Sequence, residues 1–220
     1  MARSKEQILS QMLDVGVVAV IRAPSKEALT PIAQALLDGG VPAIEVTMST
    51  PKAIAGIEML ADALGDKAVI GVGTVLDEST CRDAIAAGAQ FVVSPMFDEG
   101  VVATTRRYGK ISIPGALTPT EILRAWTAGA DIVKVFPSTS VGPTYFKDLL
   151  APLPQLRLTP TGGVDLKNAG EWIKAGAACI GAGSALVSKE AMTRGDWGTI
   201  SSNARAFVNA VAQARGRGQG

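Results

Sequence analysis

The sequence predicts a (β/α)8 TIM barrel behind a short N-terminal helix, and three observations carry that expectation. Strand-like and helix-like stretches alternate in units of about 27 residues, and eight such units fill the 220-residue chain. Hydrophobic residues make up 47% of it, enough for one large core, and a barrel of this length needs only one domain. No Gly-x-Gly-x-x-Gly follows the first strand, and the glycine-rich turns come last, which argues against a doubly wound open sheet. Residues 1–213 read as a single domain and 214–220 as a frayed, disordered basic tail.

In order, residues 4–13 carry Ile8, Leu9, Met12 and Leu13 at helical spacing. Residues 15–21 form the first strand, ending at Arg22, and Ser25 is placed to cap a helix that stops at Gly39-Gly40. The second strand, 42–46, closes with Glu45 and Thr47. Ser49 or Thr50 caps the next helix, with Pro51 in its first turn. Strand 68–72 leads through Gly73-Thr74 to a helix over 78–87, and strand 90–93 leads through Ser94-Pro95 to one over 99–108. Strand 111–113 precedes Thr118-Pro119-Thr120-Glu121, the pattern of a capping box with proline just inside. Residues 131–137 form the sixth strand, before a helix over 143–150. Strand 156–160 meets Thr161-Gly162-Gly163 and a helix over 166–175. Strand 178–180 meets Gly181-Ala182-Gly183-Ser184 and a helical region ending near 212.

Composition removes whole classes of function. Net charge is +1 with basic residues scattered, so there is no stripe for nucleic acid. The chain has no histidine, which excludes Ser-His-Asp and Cys-His mechanisms and leaves carboxylates, lysine, tyrosine or water for proton transfer. Cys81 and Cys179 show neither metal-ligand nor disulfide spacing, so no metal is expected and a reducing cytoplasm is the default location. No stretch is long and apolar enough to span a membrane, and 15–21 is too short for a secretory signal core.

One strand stands apart. Residues 131–137 read Asp-Ile-Val-Lys-Val-Phe-Pro, nearly all apolar, with Lys134 in the middle. Alternation puts Val133 and Val135 on one face and Ile132, Lys134 and Phe136 on the other. A buried ammonium is costly unless paired or neutral, and a neutral lysine is a nucleophile towards carbonyls. The alternative is a buried ion pair or a wet strand end. Glu45 shares the parity of Ala43 and Thr47 on the second strand, across the barrel from the sixth, so its carboxylate points where Lys134 points. It suits either a salt bridge to Lys134 or Arg22 or a proton relay. The turns Thr161-Gly162-Gly163 and Gly181-Ala182-Gly183-Ser184 follow strands seven and eight, where barrels often hold phosphate on backbone N–H groups. Tight turns, or a nest for a carboxylate, are the alternatives.

Glu45-Val46-Thr47, Gly71-Val72-Gly73-Thr74-Val75, Val93-Ser94-Pro95, Pro114-Gly115, Lys134-Val135-Phe136-Pro137 and Pro160-Thr161-Gly162-Gly163-Val164 together resemble the 2-keto-3-deoxy-6-phosphogluconate aldolase family. That family includes 4-hydroxy-2-oxoglutarate aldolases and the related 6-phosphogalactonate aldolases. The resemblance runs from about Val15 to Leu186. It implies a metal-free, cofactor-free class I aldolase of the Entner–Doudoroff pathway, assembled as a homotrimer of barrels and acting on a phosphorylated 2-keto sugar acid. Lys134 matches the Schiff-base lysine and Glu45 the general acid/base. Thr74 matches the threonine near the pyruvate carboxylate, and Pro95 and Phe136 match pocket walls. Gly162, Gly163, Gly183 and Ser184 match the phosphate end, with Thr47 and Thr161 as further substrate contacts. Many members carry arginine where this chain has Ser49, so carboxylate binding falls to Arg22 or to Thr74 with backbone donors. Residues 136–143 resemble the galactonate type, whereas Pro160-Thr161-Gly162-Gly163 resembles the gluconate type, which is the expected substrate. A phosphate-binding isomerase or synthase, with Lys134 purely electrostatic, would form no covalent adduct with 2-keto acids. A non-catalytic sugar-phosphate binder would bind without turnover.

Overall fold

The computed structural model describes residues 3–217. It is an α/β fold with a curled parallel sheet whose strands are short and wholly buried. The first six strands are β1 (Val17–Ile21), β2 (Ala43–Thr47), β3 (Val69–Gly73), β4 (Phe91–Val93), β5 (Ile111–Ile113) and β6 (Gly115–Ala116). They are followed by β7 (Val133–Val135), β8 (Leu158–Pro160) and β9 (Ile180–Ala182). One sheet has the order β5-β4-β3-β2-β1-β9 and the other β6-β7-β8. Pro114 separates β5 from β6, because proline offers no N–H to a ladder. Hydrogen bonds still pass across the break: Asp131 donates its backbone N–H to the Ser112 carbonyl and Lys134 to that of Pro114, both at 2.9 Å. On the other flank a parallel bridge joins Thr161 to Gly181.

Alternation along the strands sorts side chains into two cores. Val17, Ala19, Ile21, Ile44, Val46, Val133, Val135 and Leu158 pack outwards against the helices. Val18, Ala43, Val69, Phe91, Val93, Ile111, Ile113, Ile132 and Cys179 pack inside the curl. Helix α1 (Lys5–Val15) closes one end of that inner core with Ile8 and Met12. Gly71 exists for the inner core's sake, since a Cβ there would run into the Phe91 ring.

The remaining helices are α2 (Leu29–Asp38), α3 (Ala53–Leu64), α4 (Glu78–Ala86), α5 (Glu99–Arg107) and α6 (Pro119–Thr127), then α7 (Pro143–Leu150), α8 (Ala169–Lys174), α9 (Lys189–Arg194) and α10 (Trp197–Ala214). The predicted Thr118 capping box is present, with Pro119 at the first helical position. Two other expected caps are not. Helix α2 starts at Leu29, with no side-chain cap from Ser25, and α3 starts at Ala53 after Lys52, which sits at φ 56°. Thr50 instead accepts a hydrogen bond from the Ala23 N–H (3.2 Å), and Ser49 pairs with Thr47. Helix α1 also runs two residues further than the pattern implied, ending at Gly16 in the left-handed region (φ 72°). The closing helical region is two helices parted by Gly195.

The expected disorder from residue 214 is not what the structure has. Helix α10 reaches Ala214, and Arg215 then bonds the Leu13 and Asp14 carbonyls (2.9 Å each) and the Ala178 carbonyl (2.7 Å). Residues 218–220 of that expectation lie outside the described residues.

Candidate active site

Lys134 occupies the middle of β7, and its side chain enters the inner core because Val133 and Val135 take the outer one. It is only 6% exposed, and its Nζ lies 4.8 Å from the centroid of the Phe136 ring. Burial pushes its pKa below the ordinary lysine value, Glu45 pulls partly back, and the Arg22 charge adds to the depression. Glu45, 3% exposed on β2, is displaced the other way: burial raises its pKa against the opposing pull of Lys134 and Arg22. Neither forms an ion pair within 4.0 Å among the described residues. The acid and the amine instead line one small cavity, with Val18, Val93, Ile113, Thr159, Thr161, Cys179 and Gly181. Gly73 makes room for the acid, because a Cβ at that position would overlap the Glu45 carboxylate. Burial moves the two titratable groups in opposite directions, the amine towards its neutral form and the acid towards its protonated one, a pairing that marks a candidate functional site.

Above this pair opens a cavity of about 400 Å³ that brings together Arg22, Phe136, Thr161, Gly162, Gly163, Gly183 and Ser184. Gly162 (φ 93°) and Gly163 (φ 71°) adopt backbone that side-chain-bearing residues rarely reach. The Ser138 hydroxyl pins their loop by donating to the Thr161 (3.0 Å) and Gly162 (2.7 Å) carbonyls. The N–H groups of Gly162, Gly163, Ser184 and Ala185 donate to no protein acceptor among the described residues. Helices α8 and α9 start several residues beyond these loops, at Ala169 and Lys189, so any anion there meets loop amides rather than helix N-termini. Arg22 is exposed, close to Gly183 and without an ion-pair partner among the described residues.

Phe136 also faces a neighbouring cavity of about 350 Å³ that contains Pro95, Gly115 and Ala116. Gly115 is required there, since a Cβ would overlap the Pro95 backbone. Thr74 sits half-buried at the end of β3 with φ 63°, a costly conformation for threonine and one that clusters at functional sites. Thr47 does not join the cavities. It is fully buried, donates to the Ile21 carbonyl (3.0 Å) and meets Ser49 Oγ at 2.7 Å, so its hydroxyl braces two strand ends. Sequence reasoning overlooked Thr159, which lines the inner cavity beside Lys134. Its signal was parity alone, two residues before Thr161. A larger cavity, about 670 Å³, is a groove around Phe97, Leu123 and Arg124 with no lysine in its lining.

Comparison with known proteins agrees with this geometry. The family model "KDPG and KHG aldolase" matches residues 8–203. The 2-dehydro-3-deoxy-6-phosphogalactonate aldolase of Escherichia coli K12 is 36% identical over 77% of this chain and 83% of its own length. The 2-dehydro-3-deoxy-phosphogluconate aldolase of Treponema pallidum is 37% identical over 84% of this chain and 89% of its own. Among solved structures, a KDPG aldolase from Legionella pneumophila, with pyruvate captured as a covalent carbinolamine, superposes with a TM-score of 0.85. It is 32% identical, over 91% of this chain and 98% of that one. The chain belongs to the KDPG and KHG aldolase family, whose members are carbon–carbon lyases.

Proposed function

We propose that the chain is a class I aldolase that cleaves 2-keto-3-deoxy-6-phosphogluconate to pyruvate and glyceraldehyde 3-phosphate. The observation that carries this reading is the buried Lys134 amine sharing a cavity with the buried Glu45 acid. Neutral Nζ attacks the C2 ketone, and the carbinolamine loses water to become an iminium. The C4 hydroxyl gives its proton to Glu45, through a water, as the C3–C4 bond breaks and its electrons flow into the iminium. The enamine is then protonated at C3, and hydrolysis releases pyruvate and restores the amine. Free loop amides at Gly162, Gly163 and Ser184, with Arg22 beside them, suit the dianionic phosphate. Thr74 and backbone donors then remain for the carboxylate end, where Ser49 offers no charge. The scaffold in this reading is one domain, a closed (β/α)8 barrel. Closure is supported by the Thr161–Gly181 bridge on one flank and the bonds across Pro114 on the other. Cleavage of 4-hydroxy-2-oxoglutarate to pyruvate and glyoxylate fits the same site.

The galactonate epimer is the second reading, favoured by the relative from Escherichia coli K12 and by the run 136–143. Retro-aldol rates on the two epimeric 6-phosphates and on 4-hydroxy-2-oxoglutarate, followed by pyruvate release, decide between them. Borohydride with pyruvate should add one reduced adduct to the intact protein and none to Lys134→Ala, which should fold but not turn over. An unchanged wild-type mass would overturn the covalent mechanism. The reading includes a cytoplasmic homotrimer. Exposed Leu123 beside the 670 Å³ groove offers a face for a second copy, and sedimentation equilibrium tests it.

A further inference from the structure

Most buried hydroxyls in this molecule are spoken for: Thr47, Thr105 and Ser138 each donate to a backbone carbonyl. Thr159 Oγ1 is different. It is shielded from solvent and has no hydrogen-bond partner among the described residues, in a residue only 5% exposed. A valine would fill the same space without leaving an orphaned polar group, so the hydroxyl calls for an explanation. It lies near the Cys179 thiol, which burial pushes up to about 11 against a small opposing effect of this hydroxyl, yet it makes no well-formed hydrogen bond with it.

Register supplies the explanation. Lys134 on β7 and Thr159 on β8 are direct partners in the parallel ladder. Their outward neighbours Val133, Val135 and Leu158 fill the outer core, so both side chains enter the inner one. They line the same small cavity as Glu45, of about 10 Å³, at the lower limit for a single water.

We propose that Thr159 is a positioning residue for Lys134: its hydroxyl holds one water in that cavity, and the water hydrogen-bonds the lysine amine and fixes its approach to the substrate ketone. The inference rests on Lys134 being the Schiff-base nucleophile. Such a water gives the amine a fixed partner on the side away from the open cavity, so the lone pair is presented towards the substrate. It also solvates the ammonium form. The other groups facing Lys134 are Glu45 from β2, Arg22 at the end of β1, the Phe136 ring and the neutral Cys179 thiol before β9.

The test compares wild type with Thr159→Val and Thr159→Ser, using pyruvate and borohydride trapping and the pH profile of kcat/KM. Trapping in Thr159→Val should slow by about 10- to 100-fold at a pH where the amine is neutral. Its acid limb should move to lower pH, because a drier cavity disfavours the charged amine further. Serine should restore both. Thr159→Ala repeats the comparison if the valine variant does not fold. A valine variant with wild-type trapping and an unmoved limb would overturn the proposal. So would loss of rate that leaves the limb in place and is not rescued by serine, since that marks a packing role. Wild-type protein that forms no adduct at all would instead sink the aldolase reading beneath it.

Discussion

Glu45 and Lys134 are each held away from their charged form by burial, and for the lysine that favours the neutral amine the proposed mechanism needs. The lysine must be neutral to attack, so adduct formation should rise with pH through its folded pKa, which lies below the ordinary 10.5. For Glu45 the sign runs the other way. Its folded pKa is raised above 4.5, so the protonated acid stabilises the fold at low pH, and that contribution fades as pH rises through the folded value. Glu45→Gln stays neutral throughout. It should therefore gain stability over wild type progressively above pH 4.5, reaching about 1 kcal/mol at neutral pH by urea denaturation. The same variant should lose about 10²- to 10⁴-fold in kcat while still forming the pyruvate adduct. A stability difference that does not grow with pH would mean that Glu45 is solvated rather than buried.

At the scale of elements, alternation was the most legible signal. The parity of residues 132–136 and of Ala43, Glu45 and Thr47 placed the acid and the amine on one side, and the two cores follow it. Local capping chemistry was legible only where no other partner competed. Thr118 and Glu121 form their box because that segment is exposed and no strand end competes for them, with Glu121 Oε2 accepting from the Thr118 N–H at 2.8 Å and from the Leu117 N–H at 2.9 Å. Ser49 and Thr50 carry equally good capping hydroxyls, but the ends of β1 and β2 claim them. Thr118→Ala should accordingly cost about 1 kcal/mol in urea unfolding, with kcat unchanged. A larger loss would show that Leu117, whose carbonyl accepts from the Tyr145 hydroxyl at 2.6 Å, depends on the cap to hold α7 in place.

For the molecule as a whole, the alternation of parallel strands and helices was readable because most of these elements are short and many helices end at glycine. Thr159 was not readable as special, since an orphaned hydroxyl exists only once the strands are in register. The chain's last residues misled for a related reason. Arg215-Gly216-Arg217-Gly218 has the composition of a loose end, and nothing local says where a guanidinium will land. In the fold it lands at the closed end of the inner core. One side chain there joins the C-terminal carbonyls of α1 to the Ala178 carbonyl ahead of β9, tying the first helix and the last strand together. Gly16 permits this approach, as a Cβ there would lie 2.7 Å from Arg215 Nη2. Charged donors to carbonyls are worth more than neutral ones, so Arg215→Ala should lower stability by about 2 kcal/mol in urea unfolding. Arg217→Ala, two residues on and without such partners among the described residues, serves as the control and should unfold like wild type. Coincident midpoints for the two variants would mean that α1 seals the core through Ile8 and Met12 alone, with no help from the clamp.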